Sequence, residues 1–259
     1  MERAFLLFLA FDGTDFCGWQ RQSEGRSVQQ VTEAALSQLA GESRVAIAAG
    51  RTDAGVHGLA LPVSTAMPAR WDAAALLKAL NAVLPPDVAV GEIREVVAGT
   101  NARRSALGRR YRYDVGVDGS SRSPFRARCE WPLGRPLSMD AMQRAADRLA
   151  GEHDFRAFAA VGEPKPHYRC RIAEARWEPL DPARLRFTVA ADRFLHHMVR
   201  MLVGTMVDIG LGRRPESDMD QLLRAQDNGE TSPPAPARGL SFVAADYPAD
   251  IFLIERAQW

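Results

Sequence analysis

The sequence predicts an α+β fold made of two similar mixed α/β halves, and three observations carry that prediction. Apolar runs of strand length alternate with capped helical stretches along the 259 residues. The mixture occurs once before about residue 100 and again after it. A turn-rich stretch at residues 100–106 lies between them, so the expected domains are residues 1–102 and 103–259. At 46% hydrophobic the chain can bury a sizeable core, and its length suits two modest domains. No repeat is visible in the letters, so the likeness of the halves is one of architecture.

Taken in order, residues 4–11 are an apolar run leading into Asp12-Gly13 with no small-residue cleavage site, which predicts a buried first strand rather than a signal peptide. Ser27-Val28-Gln29-Gln30 is a capping box for a helix that carries Val28, Val31, Ala35, Leu36 and Leu39 inward until Gly41 stops it. Residues 45–49 form a short apolar strand ending at Gly50, so the segment opening with Arg51 is a loop at a strand end. A helix over 72–84 is stopped by Pro85-Pro86, and 88–97 reads as a strand, giving the first half a β-α-β-β-α-β pattern. The second half contributes a strand at 109–117, a helix at 140–149, strands at 171–177 and 185–190, and helices at 196–209 and 216–225. Residues 119–124 and 228–238 are Pro/Ser-rich loops, and 241–247 is a late strand returning to the sheet.

No run of about 18 uncharged apolar residues exists, which argues against a membrane span. Cys17, Cys129 and Cys170 are an odd count with no C-x-x-C pair, which supports neither a disulfide framework nor a zinc site and suits a reducing cytoplasm. The net charge of +1 carries no global nucleic-acid signal. Position is more informative: Arg103, Arg104, Arg109, Arg110, Arg112, Arg122, Arg126 and Arg128 face only Asp114 and Asp118 between residues 102 and 128. Such a stripe is the footprint of a phosphate-binding surface, expected to line a basic cleft between the halves.

Gly50-Arg51-Thr52-Asp53-Ala54-Gly55-Val56-His57-Gly58 packs three glycines around an Arg, an Asp and a His. That composition fits a tight backbone presenting reactive side chains and equally fits a charged turn. It is neither a P-loop nor a dinucleotide fingerprint, so no nucleotide cofactor is expected. Asp53 and His57 do not complete a metal site, and none is expected. His196 and His197 should diverge by about 100 degrees on a helix and so not face one ligand. Arg200 interrupts a run of Met198, Val199, Met201, Leu202 and Val203 that should be buried, and a buried arginine needs a carboxylate partner. Asp53 is the candidate, either as a nucleophile kept ionised or in a salt bridge that only ties the halves together. Arg109-Arg110-Tyr111-Arg112-Tyr113 interleaves cations with aromatics as an RNA-gripping strand would, with both tyrosines on one face and one of them free to be core.

Together with Phe194-Leu195-His196-His197-Met198-Val199-Arg200 through Gly204, these segments resemble the bacterial tRNA pseudouridine synthase A family. The resemblance extends to Gly18-Trp19-Gln20-Arg21-Gln22, Arg26-Ser27-Val28-Gln29, Asn81-Ala82-Val83-Leu84-Pro85 and the tail from Gly239-Leu240 to Tyr247-Pro248. It implies a pseudouridine synthase fold with antiparallel sheets, a homodimer, no cofactor or metal, and action on tRNA uridines conventionally numbered 38 to 40 in the anticodon stem-loop. By it Asp53 matches the nucleophile, Tyr111 the aromatic that stacks on the target uracil, and Arg200 the basic partner of the aspartate. Arg51 and Arg103 would orient the loop or the RNA, with Arg21, Arg109 and Arg110 as further RNA contacts.

The chain departs from the family's pattern at Leu61, where relatives usually carry glutamine, and at Asn101, where a histidine is common. Both departures bear on RNA affinity more than on the reaction. Two other functions compete: a tRNA-binding chaperone that uses the arginines without turnover, and a metal-dependent hydrolase built on Asp53, His57 and one of the paired histidines. Joint presence of Asp53, Tyr111 and Arg200 favours the synthase, since a binding module needs cations but no carboxylate.

Overall fold

A computed structural model describes residues 1–161, 167–225 and 227–253. In chain order the elements are β1 (Glu2–Phe11), α1 (Val28–Ala40), β2 (Ile47–Ala48), β3 (His57–Pro68), α2 (Ala73–Val83), β4 (Val88–Val96) and β5 (Gly108–Gly116). There follow β6 (Trp131–Pro132), α3 (Met139–Asp147), β7 (Gly151–Asp154), β8 (Arg169–Asp181), β9 (Arg184–Ala191), α4 (Met198–Gly210), α5 (Asp218–Leu222) and β10 (Leu240–Asp246). Two compact units result, one of Met1–Arg109 with the described residues from Phe242 onward, the other of Arg110–Ser241. Each is an α+β unit. No helix among the described residues is long and apolar enough to cross a membrane.

In the first unit the strands lie in the order β4-β1-β3-β10, with β2 beside β3. β1 pairs antiparallel with β3, from Glu2 opposite Pro68 to Phe11 opposite Gly58, and antiparallel with β4 on its other edge. Phe5, Leu6 and Leu7 are consecutive and all fully buried, so this central strand is covered on both faces. Each such side chain contributes about 1.5–3 kcal/mol on burial. α1 begins as its letters predict: Ser27 Oγ accepts the Gln30 N–H at 3.3 Å while Gln30 Oε1 accepts the Ser27 N–H at 3.1 Å. Gly41, at φ 82°, ends it. Asp72 caps α2 by accepting the Ala75 N–H at 2.8 Å.

β3 is the long strand that the letters concealed. It starts inside the glycine-rich motif and contains Pro62, a residue that argues against a central strand. Pro62 fits because its carbonyl accepts the Ala49 N–H at 2.8 Å, and on an antiparallel strand its missing N–H points the same way. The ladder to β1 therefore loses no hydrogen bond. Of the expected strand at 45–49 only Ile47 and Ala48 pair, and Val45 is exposed.

The second unit orders its strands β5-β9-β8-β7, with β6 running parallel beside β5. β8 pairs antiparallel with both β7 and β9. α3 packs on β8 and on α4, where the Trp177 indole donates to Met206 Sδ at 3.3 Å. α4 starts at Met198 rather than at residue 196, because His197 takes a left-handed backbone at φ 64° and serves as the N-cap. α5 is only five residues long, shorter than the expected 216–225.

Candidate active site

In the first unit, Asp53 stands half-buried on the loop between β2 and β3, flanked by buried Thr52 and exposed Ala54. Its carbonyl accepts the Val56 N–H at 3.1 Å, closing a turn in which Gly55 has φ 78°. The segment after β1 grips this turn. Trp19 N–H donates to Thr52 O at 3.0 Å, and Gly55 N–H donates to Phe16 O at 3.3 Å. Gly18, at φ 99°, packs so closely that a Cβ would sit 2.5 Å from Thr52 O. α1 in turn fixes that segment, since Val28 N–H donates to Gly18 O at 3.1 Å and Gln29 N–H to Trp19 O at 2.9 Å.

His57, the first residue of β3, is 5% exposed, and its Nδ1 accepts the Gly13 N–H at 3.1 Å. Arg51 is exposed. The Arg21 side chain, 59% exposed, forms an ion pair with the buried Glu33, whose other oxygen accepts the Ala46 N–H at 3.1 Å. Arg109 is a framework residue that the residue pattern grouped with RNA contacts. Its guanidinium donates to Ala49 O at 3.3 Å, Ala106 O at 3.0 Å and Arg103 O at 2.5 Å, tying the start of the Asp53 loop to the 103–106 turn. The Arg103 side chain is exposed, and its backbone N–H donates to Asn101 Oδ1 at 3.0 Å. Asn101 thus serves as a turn former, which needs only a short side-chain carbonyl. Leu61 is fully buried in β3, so its departure from the family pattern lies in the packed core.

In the second unit, Tyr111 and Tyr113 share the buried face of β5, as strand alternation predicts. Tyr113 is core: it is fully buried, and its hydroxyl donates to Pro236 O at 2.7 Å. Burial pushes that phenol well above its ordinary range. Tyr111, 8% exposed, is braced edge-on by Phe194 with ring centroids 5.0 Å apart. Arg110 is exposed, with Nε 3.5 Å from Glu174. Asp114 is held by a bidentate pair from Arg186 at 2.7 and 2.8 Å.

Arg200 is half-buried rather than buried, the one such position among Met198–Leu202 of α4. Its Nε donates to Ala235 O at 2.8 Å, and Ala235 N–H donates back to Arg200 O at 2.9 Å. Gly204 permits this strap, because a Cβ there would meet Pro233 O at 2.2 Å. The expected divergence of the two histidines does not occur. Both precede the helix, and their rings lie 4.0 Å apart. The left-handed residue His197, invisible in the letters, brings them together.

The family model for tRNA pseudouridine synthase matches residues 8–98 and 145–248. A protein of Moorella thermoacetica described as tRNA pseudouridine synthase A is 42% identical over 243 residues, covering 92% of this chain and 97% of that protein. Its namesake from Thermus thermophilus is 39% identical over 252 residues, covering 96% and 98%. Another from Klebsiella pneumoniae is 41% identical over 246 residues, covering 94% and 89%.

Proposed function

Since this chain belongs to the tRNA pseudouridine synthase family, we propose that it acts on uridines 38 to 40 of the tRNA anticodon stem-loop with Asp53 as nucleophile and without a cofactor. The reaction class follows from the family: the chain isomerises uridine in tRNA to pseudouridine. In that reaction the C1′–N1 bond breaks, the base turns while retained, and a C1′–C5 bond forms. C5 loses a proton and N1 gains one, so nothing is added or removed overall. A carboxylate can serve by adding to C1′ of the ribose or to C6 of the uracil. The target nucleotide must first leave its helix.

The observation that carries the reading is the way Asp53 is held. Its backbone is pinned on both sides by the Trp19–Thr52 and Phe16–Gly55 hydrogen bonds, at 3.0 and 3.3 Å, while its side chain stays half-buried. A carboxylate fixed in this way needs little reorganisation on reaching the transition state. Tyr111, braced by Phe194, is proposed as the ring that stacks on the uracil, and Arg200 as the basic group of the reaction. Arg51, Arg103, Arg110 and Arg21, all exposed, are proposed RNA contacts.

The proposed assembly is a homodimer in the cytoplasm. Phe125, 91% exposed, is apolar surface that a partner would cover, and Cys17, Cys129 and Cys170 form no disulfide. The test is Asp53→Asn, a near-isosteric change. Pseudouridine mapped in anticodon-arm transcripts should vanish while the fold and RNA binding persist. Undiminished product would overturn the assignment, and light scattering at one subunit's mass would overturn the dimer.

A further inference from the structure

We propose that His57 is a positioning residue that locks the Asp53 loop through its Nδ1 atom, an inference that rests on Asp53 being the nucleophile. Three hydrogen bonds, among the contacts between residues 13–19 and residues 52–57, hold the loop. Two of them, Trp19 to Thr52 and Gly55 to Phe16, run backbone to backbone. The third passes through a side chain, from the Gly13 N–H to Nδ1 of His57 at 3.1 Å, and so can be cut by substitution.

The site is built for this bond. Gly13 is buried and lies so near the loop that a Cβ would come within 2.0 Å of Val56 O. Its N–H opens a short helical turn, Gly13–Asp15, that Asp12 caps by accepting the Thr14 N–H at 3.0 Å and the Thr14 hydroxyl at 2.6 Å. In this bond the Gly13 N–H is the donor and Nδ1 the acceptor. Asp12 Oδ1, which accepts from Thr14, lies 3.3 Å from the same Nδ1. His57 also opens β3, so this bond couples the end of the catalytic loop to the sheet. Asp53 is thus bracketed upstream by Trp19 and downstream by His57.

The acceptor's position distinguishes this role from plain packing. Asparagine places its Oδ1 where Nδ1 lies; glutamine reaches the Nε2 position instead; leucine fills the space without an acceptor. The expected result for His57→Leu and for His57→Gln is a fall in kcat of about tenfold to 100-fold. KM for an anticodon-arm RNA should stay within about twofold, since the buried His57 side chain is not itself placed to contact RNA. His57→Asn should restore most of kcat.

Thermal unfolding accompanies each variant, and the comparison of the two polar variants keeps the test decisive if leucine prevents folding. Equal kcat values for His57→Asn and His57→Gln, or a rise in KM at unchanged kcat, would overturn the role. Asp53→Asn is measured alongside. Turnover surviving in that variant removes the reading beneath the inference, whereas an inactive Asp53→Asn beside a fully active His57→Leu overturns the inference alone.

Discussion

Replacing Gly204 by alanine sets helix propensity against a backbone contact, and the magnitudes decide which prevails. Alanine in the interior of α4 is favoured over glycine by about 1 kcal/mol. The new Cβ would lie 2.2 Å from Pro233 O, closer than the 3.0 Å below which Cβ contacts are essentially never found. A backbone carbonyl cannot swing aside as a side chain can, so the strap at 233–235 has to lift. Lifting it breaks the neutral Ala235–Arg200 backbone bond at 2.9 Å and the guanidinium bond at 2.8 Å. These are worth about 1 kcal/mol and about 1.5–3 kcal/mol. The net expectation is a loss of about 1.5–3 kcal/mol, or roughly 3–12 °C in melting temperature for a chain of this size. Gly210→Ala in the same helix is the control, because the nearest atoms to its Cβ are side-chain ones, the flexible Met142 thioether at 2.8–2.9 Å and Leu137 Cδ2 at 3.4 Å, and it should come within about 1 kcal/mol of wild type. Urea and thermal unfolding measure stability, and single-turnover rates should fall in Gly204→Ala as Arg200 loses its tether. Gly204→Ala melting at or above wild type, or Gly210→Ala losing as much, would refute the reasoning.

Two further outcomes follow from burial. Tyr113→Phe removes the hydroxyl that donates to Pro236 O at 2.7 Å in a fully buried position and should destabilise by about 1 kcal/mol, read as a small fall in the urea midpoint with an unchanged slope. The Cys170 thiol, 1% exposed and pushed up to about 12 by burial, should resist iodoacetamide at pH 8 until the chain unfolds, while the exposed Cys129 reacts; mass spectrometry of the native protein checks this, and early labelling at Cys170 contradicts it.

Features written in local chemistry were legible in the letters. The capping box at Ser27, the proline stop after α2 and the shared tyrosine face of β5 each depend on neighbours a few residues away. What was not legible depends on partners far along the chain. β3 contains Pro62, whose residue type argues against a central strand, and only the direction of its carbonyl toward Ala49 shows that β1 needs no donor there. The length of β8 comes from its pairing with β7 at Arg169–Ile172 and with β9 from Ile172 to Asp181, and β7 exists through that pairing, not through apolar alternation. His197 looked helical because its left-handed backbone leaves no mark on residue type.

The candidate site divides along the same line. Charge pattern placed Arg109 among RNA contacts, yet three backbone carbonyls take its guanidinium. A stripe of arginines therefore mixes two populations, and only position in the fold separates framework cations from those left exposed, such as Arg51, Arg103 and Arg110. The glycines carry the complementary lesson. Gly13 and Gly18 lie outside the Asp53 motif, but only a residue without a Cβ lets the backbone approach Val56 O and Thr52 O closely enough to hold the loop. The placement of Asp53 thus depends on two short segments nearly 40 residues apart in the chain. Substitutions at Gly13 or Gly18 should consequently disturb turnover as directly as changes within the motif itself.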